Sequence, residues 1–275
     1  MRQTLLSRWQ AALLGSSLGG IFGTQQAATL NAWREMHEQG VKALAETGNW
    51  QPVFSSQNAT PAEILVQCLP LMLFFHDCAQ TLQERLSAIG QEQKYSPKTT
   101  AAMVAYGKVI GWTLRDELQE KTLFQDLQTT PSQTTGYEVL QTLQTQREKG
   151  ETLKATKIKL PSPCQDIWLA LYCFGITSEH LTVSVGRVQA IKGSNPLVLP
   201  LVGALTGGYN GVSGIPLPWR LLLQKQQWEP RLAAMLGTWS GSYEFARIDQ
   251  HLQKHIITDR VRGSAIASPG VIQRR

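Results

Sequence analysis

Cysteine and early aspartate are both scarce in this sequence. Four cysteines in 275 residues are too few for a disulfide scaffold. Cys68, Cys78, Cys164 and Cys173 also form no C-x-x-C pair, which a zinc site or a redox motif would need. Three of them lie in apolar runs, and we interpret all four as reduced core thiols. No aspartate precedes Asp77, which leaves glutamates as the carboxylates of the first part of the chain.

Long apolar runs are also missing. No segment approaches the roughly 18 apolar residues that a membrane-spanning helix needs, so no membrane span is predicted. Residues 11–23 follow Arg2 and Arg8 as the core of a signal peptide would, but glycines and serines interrupt them and polar residues precede the small pair at 27–28. The sequence therefore predicts a cytoplasmic protein.

Charge is modest and mostly evenly spread. The 275 residues are 42% hydrophobic and carry a formal net charge of +6, which is enough apolar material for a substantial core. Arginines are concentrated in residues 260–275, so we predict one domain over residues 1–259 and a flexible basic tail after it. Basic and aromatic residues do not alternate as they do in RNA-binding modules, so nucleic acid is the less favoured partner.

Helical periodicity accounts for nearly all of the chain and predicts an all-α fold. A basic connector at residues 151–163 carries the one β candidate, a short strand at 156–160. Caps are expected at Thr60, Ser96 and Ser178, which precede helical segments. The predicted helices cover residues 4–23, 29–47, 64–75 with a kink or break at Pro70, 79–92, 97–119, 123–149 split at Pro131, 167–174, 178–190, 196–214, 217–226, 230–239 and 243–255.

Glycine recurs at every fourth position of the first helix. Gly15, Gly19 and Gly23 therefore lie along one stripe of the helix surface. Each costs up to about 1 kcal/mol relative to alanine inside a helix, so a compensating interaction is expected. The stripe predicts either close packing of another helix or a ligand lying against the backbone.

Three segments, in order along the chain, resemble motifs of one family. Residues 192–196 read Lys-Gly-Ser-Asn-Pro and lead to Gly-Ala-Leu-Thr-Gly-Gly-Tyr-Asn-Gly at 203–211 and to Ile-Pro and Trp at 215–219. The opening helix at 8–23 and the Leu-Pro-Leu-Met-Leu run within 69–77 resemble two further motifs. The sequence is similar to the ADP-ribosylglycohydrolase superfamily, of the type of the dinitrogenase-reductase-activating glycohydrolases.

This resemblance implies an orthogonal bundle of helices around a cleft in which two magnesium ions position ADP-ribose and a water for glycosidic cleavage. Magnesium prefers carboxylate oxygens. The two aspartates of the family's late motif fall at Ser194 and Pro196, and Gly20 stands where the opening helix has aspartate. The family's early Thr-Asp-Asp-Thr motif is missing. We therefore predict a degenerate member without a metal site, with magnesium as cofactor only if the family activity is retained.

Few residues can replace the missing ligands. Asp77 and Asp166 are weak catalytic candidates, since each lies at a helix end that could line a cleft. Solvated helix charges account better for the early glutamates, and the pair His251 and His255 lacks the glutamate of a metalloprotease. Donors to a phosphate are expected in the loop before the glycine-rich helix, at Lys192, Gly193, Ser194 and Asn195.

Three functions remain open at this point. A non-catalytic relative that binds an ADP-ribose-like nucleotide, or a protein partner as a scaffold, explains both the matches and the gaps. An active hydrolase would use unconventional carboxylates such as Asp77 and Asp166, because glycosidic cleavage commonly needs a carboxylate pair. A helical interaction protein would recruit an acidic partner or nucleic acid through residues 260–275, with a salt-dependent affinity.

Overall fold

The computed structural model describes residues 3–24, 27–52, 54, 59–129, 136–191, 193, 195–223 and 228–242. Over these ranges the chain folds into α-helices and short 3-10 turns without a strand, which confirms the all-α prediction. The α-helices are α1 Leu5–Gly23, α2 Ala27–Thr47, α3 Pro61–Gln67, α4 Leu69–Phe74, α5 Ala79–Glu92, α6 Pro97–Arg115, α7 Leu123–Gln128, α8 Tyr137–Glu148, α9 Leu153–Lys159, α10 Gln165–Thr177, α11 Leu181–Gln189, α12 Val198–Asn210, α13 Leu217–Leu222 and α14 Trp228–Trp239.

The predicted strand at residues 156–160 is wrong, because these residues belong to α9 and the bend that follows it. The Thr152 hydroxyl accepts a hydrogen bond from the Ala155 amide at 3.3 Å and so caps the first turn. The Thr156 hydroxyl is buried and bonds back to the Thr152 carbonyl at 3.1 Å. A local N-cap therefore outweighs the strand propensity of this basic segment.

The predicted caps divide into two that form and one that does not. Thr60 and Ser96 each accept a hydrogen bond from the amide three residues on, at 3.2 Å, and thereby start α3 and α6. Ser178 instead ends α10, and α11 begins after His180 without a side-chain cap. The predicted break near Pro70 falls at Cys68, since proline occupies the first turn of α4.

The two glycine-rich helices, α1 and α12, pack against each other in antiparallel directions. A Cβ atom built on Gly15 would lie 2.0 Å from the Gly203 carbonyl oxygen, and one on Gly19 would lie 2.3 Å from the Leu199 oxygen. At the end of α1, a Cβ on Gly23 would lie 2.4 Å from the Pro196 oxygen. The stripe therefore serves helix packing, the first of the two predicted uses.

The remaining helices complete a core around this pair. Helix α14 lies along α2, where the rings of His37 and Trp228 are 6.4 Å apart. The Thr238 hydroxyl donates to the Ala45 carbonyl at 2.5 Å further along the same two helices. Buried apolar side chains from Trp9 to Met235 form one contiguous cluster among the described residues.

The cysteine prediction needs one correction. Cys68, Cys164 and Cys173 are buried, and burial raises the pKa of each thiol. Cys78 is exposed instead, because it lies just before α5 at the surface, with its Sγ 2.9 Å from the Thr81 hydroxyl. The predicted helix at 243–255, with its histidine pair, and the basic tail at 260–275 lie outside the described residues.

Candidate functional site

The start of α12 brings together two residues that the sequence nominated separately. The Asn195 Nδ2 atom donates a hydrogen bond to Asp166 Oδ2 at 2.7 Å, and Asn195 Oδ1 accepts one from the Leu197 amide at 3.1 Å. One side chain thus joins α10 to the first turn of α12. Lys192 and Ser194, the other two predicted side-chain donors, lie outside the described residues.

A lysine from α9 joins this group. The Lys157 ammonium donates to the Gly193 carbonyl at 2.6 Å, and Gly193 has a φ of 69°, a conformation that favours glycine. We call Lys157, Asp166, Gly193 and Asn195 the α12 start cluster. Lys157 was not predicted as a site residue, because the sequence shows only that residues 151–163 are basic.

Burial sets the electrostatics of the α12 start cluster. It raises the pKa of the Asp166 carboxyl, while the Asn195 hydrogen bond and the positive charge of Lys157 oppose that rise. The cluster therefore offers an ammonium and an amide beside a partly buried carboxyl. Such a set can donate hydrogen bonds to phosphate or ribose oxygens.

Asp77 lies at the other end of the α1–α12 pair. Its Oδ1 accepts a hydrogen bond from Trp239 Nε1 at 3.1 Å, and the Trp239 ring is 6.2 Å from that of Trp9. Trp9 precedes Ala11, whose carbonyl oxygen lies 2.2 Å from a Cβ built on Gly207, near the end of α12. Since Asn195 and Asp166 are at the start of α12, a helix of 13 residues separates the two aspartates.

His76, next to Asp77, is enclosed by aromatic side chains. Its ring lies 5.7 Å from that of Trp9 and 5.1 Å from that of Trp239, and its Nδ1 is 2.8 Å from the Leu73 carbonyl oxygen. Burial lowers the pKa of His76, although the Asp77 charge opposes this. The histidine is buried in the core, with its Nδ1 against the backbone.

Gly20 stands where the resemblance places an aspartate of the opening helix, and apolar side chains fill the space beside it. A Cβ atom on Gly20 would lie 2.8 Å from Leu30 Cδ2 and 3.2 Å from Trp33 Cζ3, both on α2. An aspartate at this position would displace the Leu30 side chain and place its carboxylate against apolar atoms. Across the ranges that the structure covers, no three histidine, cysteine or acidic side chains form a group that could hold a metal ion.

The early glutamates lie at the surface. Glu35, Glu38 and Glu46 line an open groove between α2 and α14 with a volume of about 440 Å³. Glu38 pairs with Arg231 at 3.2 Å, and both side chains are roughly half exposed, at 41% and 53%. Pairs this exposed contribute little to stability. The groove therefore fits the interpretation of these glutamates as solvated helix charges.

Comparison with known proteins identifies the class of this helical fold. A family model, ADP-ribosylglycohydrolase, matches residues 24–244. The chain belongs to the ADP-ribosylglycohydrolase family. A search of curated proteins gave no match.

One similar solved structure supports the fold. It is named "ADP-ribosylglycohydrolase-related protein complex" and shares 14% sequence identity with a TM-score of 0.57. The alignment covers 86% of this chain and 99% of that one, so the likeness extends over nearly the whole of the other protein.

None of the described helices combines the length and the hydropathy that a membrane-spanning helix needs.

Proposed function

We propose that this chain is a non-catalytic member of the ADP-ribosylglycohydrolase family that binds an ADP-ribose-like nucleotide at the α12 start cluster without a metal ion. The observation that carries the proposal is the Asn195 side chain, which bonds Asp166 at 2.7 Å and the Leu197 amide at 3.1 Å. In the family's late motif this loop holds aspartates for magnesium. Here the side-chain amide of Asn195 bonds Asp166 instead.

The charges of the cluster support a phosphate-bearing ligand. Lys157 supplies a positive charge next to Gly193, and the Asn195 side chain supplies an amide. The apolar contacts of Gly20 argue against a magnesium ligand at that position. The separation of Asp77 from Asp166 argues against the carboxylate pair of a working glycosidase, which needs roughly 5 to 10 Å between its carboxyl groups.

Titration calorimetry with ADP-ribose, in magnesium and in chelator, tests this proposal. We expect the same heat in both conditions, and weaker binding in Lys157→Gln, because the lost ammonium no longer attracts the pyrophosphate. Asn195→Ala should also weaken binding, because it removes the hydrogen bonds to Asp166 and to the Leu197 amide. Asn31→Ala, at an exposed position of α2, is the matched control for Asn195→Ala. A thermal melt of each variant separates lost binding from lost folding.

The other outcomes each point elsewhere. Magnesium-dependent binding, or release of ADP-ribose from a modified substrate, would overturn the non-catalytic assignment. Absence of heat in both conditions would overturn ligand binding and favour a scaffold for a protein partner. A partner that dissociates in high salt and is lost on deletion of residues 260–275 would favour recruitment by the basic tail.

A further inference from the structure

A second cavity adjoins the α12 start cluster but has a different lining, between the α8–α9 connector and the later turns of α10 and α11. Its volume is about 540 Å³, within the range of small-ligand sites. Leu153, Tyr172 and Ile191 form a buried floor, and Ile176 is half-buried beside them. Tyr172 follows Asp166 by six residues on α10, a helical rise of about 9 Å.

The rim of this cavity is basic. Arg147 from α8, Lys154 from α9 and Arg187 from α11 line it, against the single carboxylate of Glu151, so the lining carries a net charge of +2. Within the described parts of the chain, none of the three cations forms an ion pair. Like charges that converge on an apolar floor repel one another, and an anion between them removes that cost.

Backbone contacts hold part of the cavity wall in place. The Arg147 guanidinium donates to the carbonyl of Glu120, a residue outside the lining, and so ties α8 to the segment before α7. The Tyr172 hydroxyl donates to the Glu151 carbonyl at 3.0 Å, and the Glu151 amide donates to the Gln146 carbonyl at 2.9 Å. The connector between α8 and α9 is thus tied to the floor. A connector held in this way loses less conformational entropy when a ligand binds.

We propose that this cavity, the α8–α11 pocket, binds a phosphate monoester with a flat apolar body, such as a mononucleotide. Two negative charges on the phosphate match the net charge of the lining, whereas a carboxylate would leave one cation unpaired. The buried floor accepts the base, and the exposed side chains of Lys154 and Arg187 can each donate to phosphate oxygens. The α12 start cluster differs in charge, since it has one lysine and one carboxyl where the lining of this pocket has three cations and one carboxylate.

Calorimetric titration of the full chain with AMP, adenosine and inorganic phosphate tests this proposal. We expect AMP to bind more tightly than either part alone, and its affinity to fall as salt is raised. Arg187→Gln and Lys154→Gln should each weaken AMP by about tenfold, the loss typical of one charge-assisted hydrogen bond. Both side chains are exposed, so these variants are expected to fold.

Two controls assign the binding to this pocket. Arg34→Gln removes an exposed arginine from α2, outside the lining, and should leave AMP affinity unchanged. Lys157→Gln should lower ADP-ribose affinity and leave AMP bound, so this site and the α12 start cluster can fail separately. Equal AMP affinity in Arg187→Gln and the parent chain, no AMP binding, or tighter binding of octanoate than AMP would each overturn the proposal.

Discussion

Glycine at position 15 decides how closely the two central helices approach. A methyl group there would lie 2.0 Å from the Gly203 carbonyl oxygen, a backbone atom that cannot rotate away. We expect Gly15→Ala to lower the free energy of unfolding by at least about 3 kcal/mol, because α1 and α12 must separate. Urea denaturation followed by circular dichroism measures the change.

A second helical glycine supplies the control for that substitution. Gly186, on α11, has nothing within 4 Å of a built Cβ atom. Gly186→Ala should therefore stabilise the fold by about 0.5 to 1 kcal/mol, through the ordinary helix preference for alanine. If both substitutions changed stability by the same small amount, the close backbone contact between α1 and α12 would be wrong.

A buried histidine makes stability depend on pH. His37 is 2% exposed, and its Nε2 lies 2.5 Å from the Val66 carbonyl oxygen. Its Nδ1 is buried and has no hydrogen-bond partner among the residues that the structure describes. Burial lowers the pKa of His37 from 6.5 to about 4. The unfolded chain therefore binds a proton at this residue over a pH range in which the folded chain does not.

The sign of the pH effect follows from that difference. The contribution of His37 to the free energy of unfolding is fully present above pH 6.5. It falls by up to about 3 kcal/mol as the pH drops towards 4. His37→Leu should flatten the slope between pH 7 and pH 4, while the lowered pKa of His76 keeps part of it. Urea denaturation across this range measures the slope, with His180→Leu, at an exposed histidine, as control. An unchanged slope in His37→Leu would contradict the assignment.

At the scale of elements, one ion pair sets where α6 stops. Arg8, on α1, is 6% exposed and donates to the Thr113 carbonyl and, at 2.7 Å, to Asp116 Oδ1. Asp116 has a φ of 64° and ends the helix in the left-handed conformation. The periodicity alone predicted a helix to residue 119, since it contains no information about a partner 108 positions away.

Substitutions at this helix end should differ in a definite order. Arg8→Met should cost about 2 to 3 kcal/mol, because a buried carbonyl and the Asp116 carboxylate lose their charged donor. Asp116→Asn should cost less, since an amide oxygen still accepts and asparagine tolerates positive φ. Thermal and urea unfolding of both variants test the order. A larger loss for Asp116→Asn would show that the charge of Asp116, rather than the donors of Arg8, holds the helix end.

Local signals explain which elements could be predicted. Thr60 and Ser96 act within three residues, so a sequence pattern identifies their helix starts. The glycine stripe also indicated close packing, although not its partner. The link between Asp166 and Asn195 spans 29 positions, and only the fold brings the two side chains together. The sequence does not distinguish Asp77 from Asp166, because each lies at a helix end. The fold places Asp166 near the start of α12 and Asp77 near its end.

For the whole molecule, the two ends of the chain share one core. Helix α1 packs on α12, and α2 packs on α14, so the first two helices each depend on helices from the last third of the described chain. Core side chains from Trp9 to Met235 form one cluster. Contacts between such distant segments slow folding, because a long stretch of chain must close before they form. We therefore expect that an N-terminal half built on α1 and α2 is not stable by itself, while one domain over residues 1–259 stays a prediction.

Cooperative unfolding follows from that arrangement. Trp9, Trp168 and Trp228 are nearly fully buried in three different helices, so tryptophan fluorescence samples the beginning, middle and end of the core. We expect fluorescence and far-ultraviolet circular dichroism to give superimposable urea transitions, because the loss of α1 exposes α12 and the core around it. In Gly15→Ala, both transitions should shift by the same amount, since one substituted contact destabilises the entire core. Two separated midpoints, or a shift in one signal alone, would mean that the chain contains two cooperative units, and the shared core of α1 and α12 would then not govern unfolding.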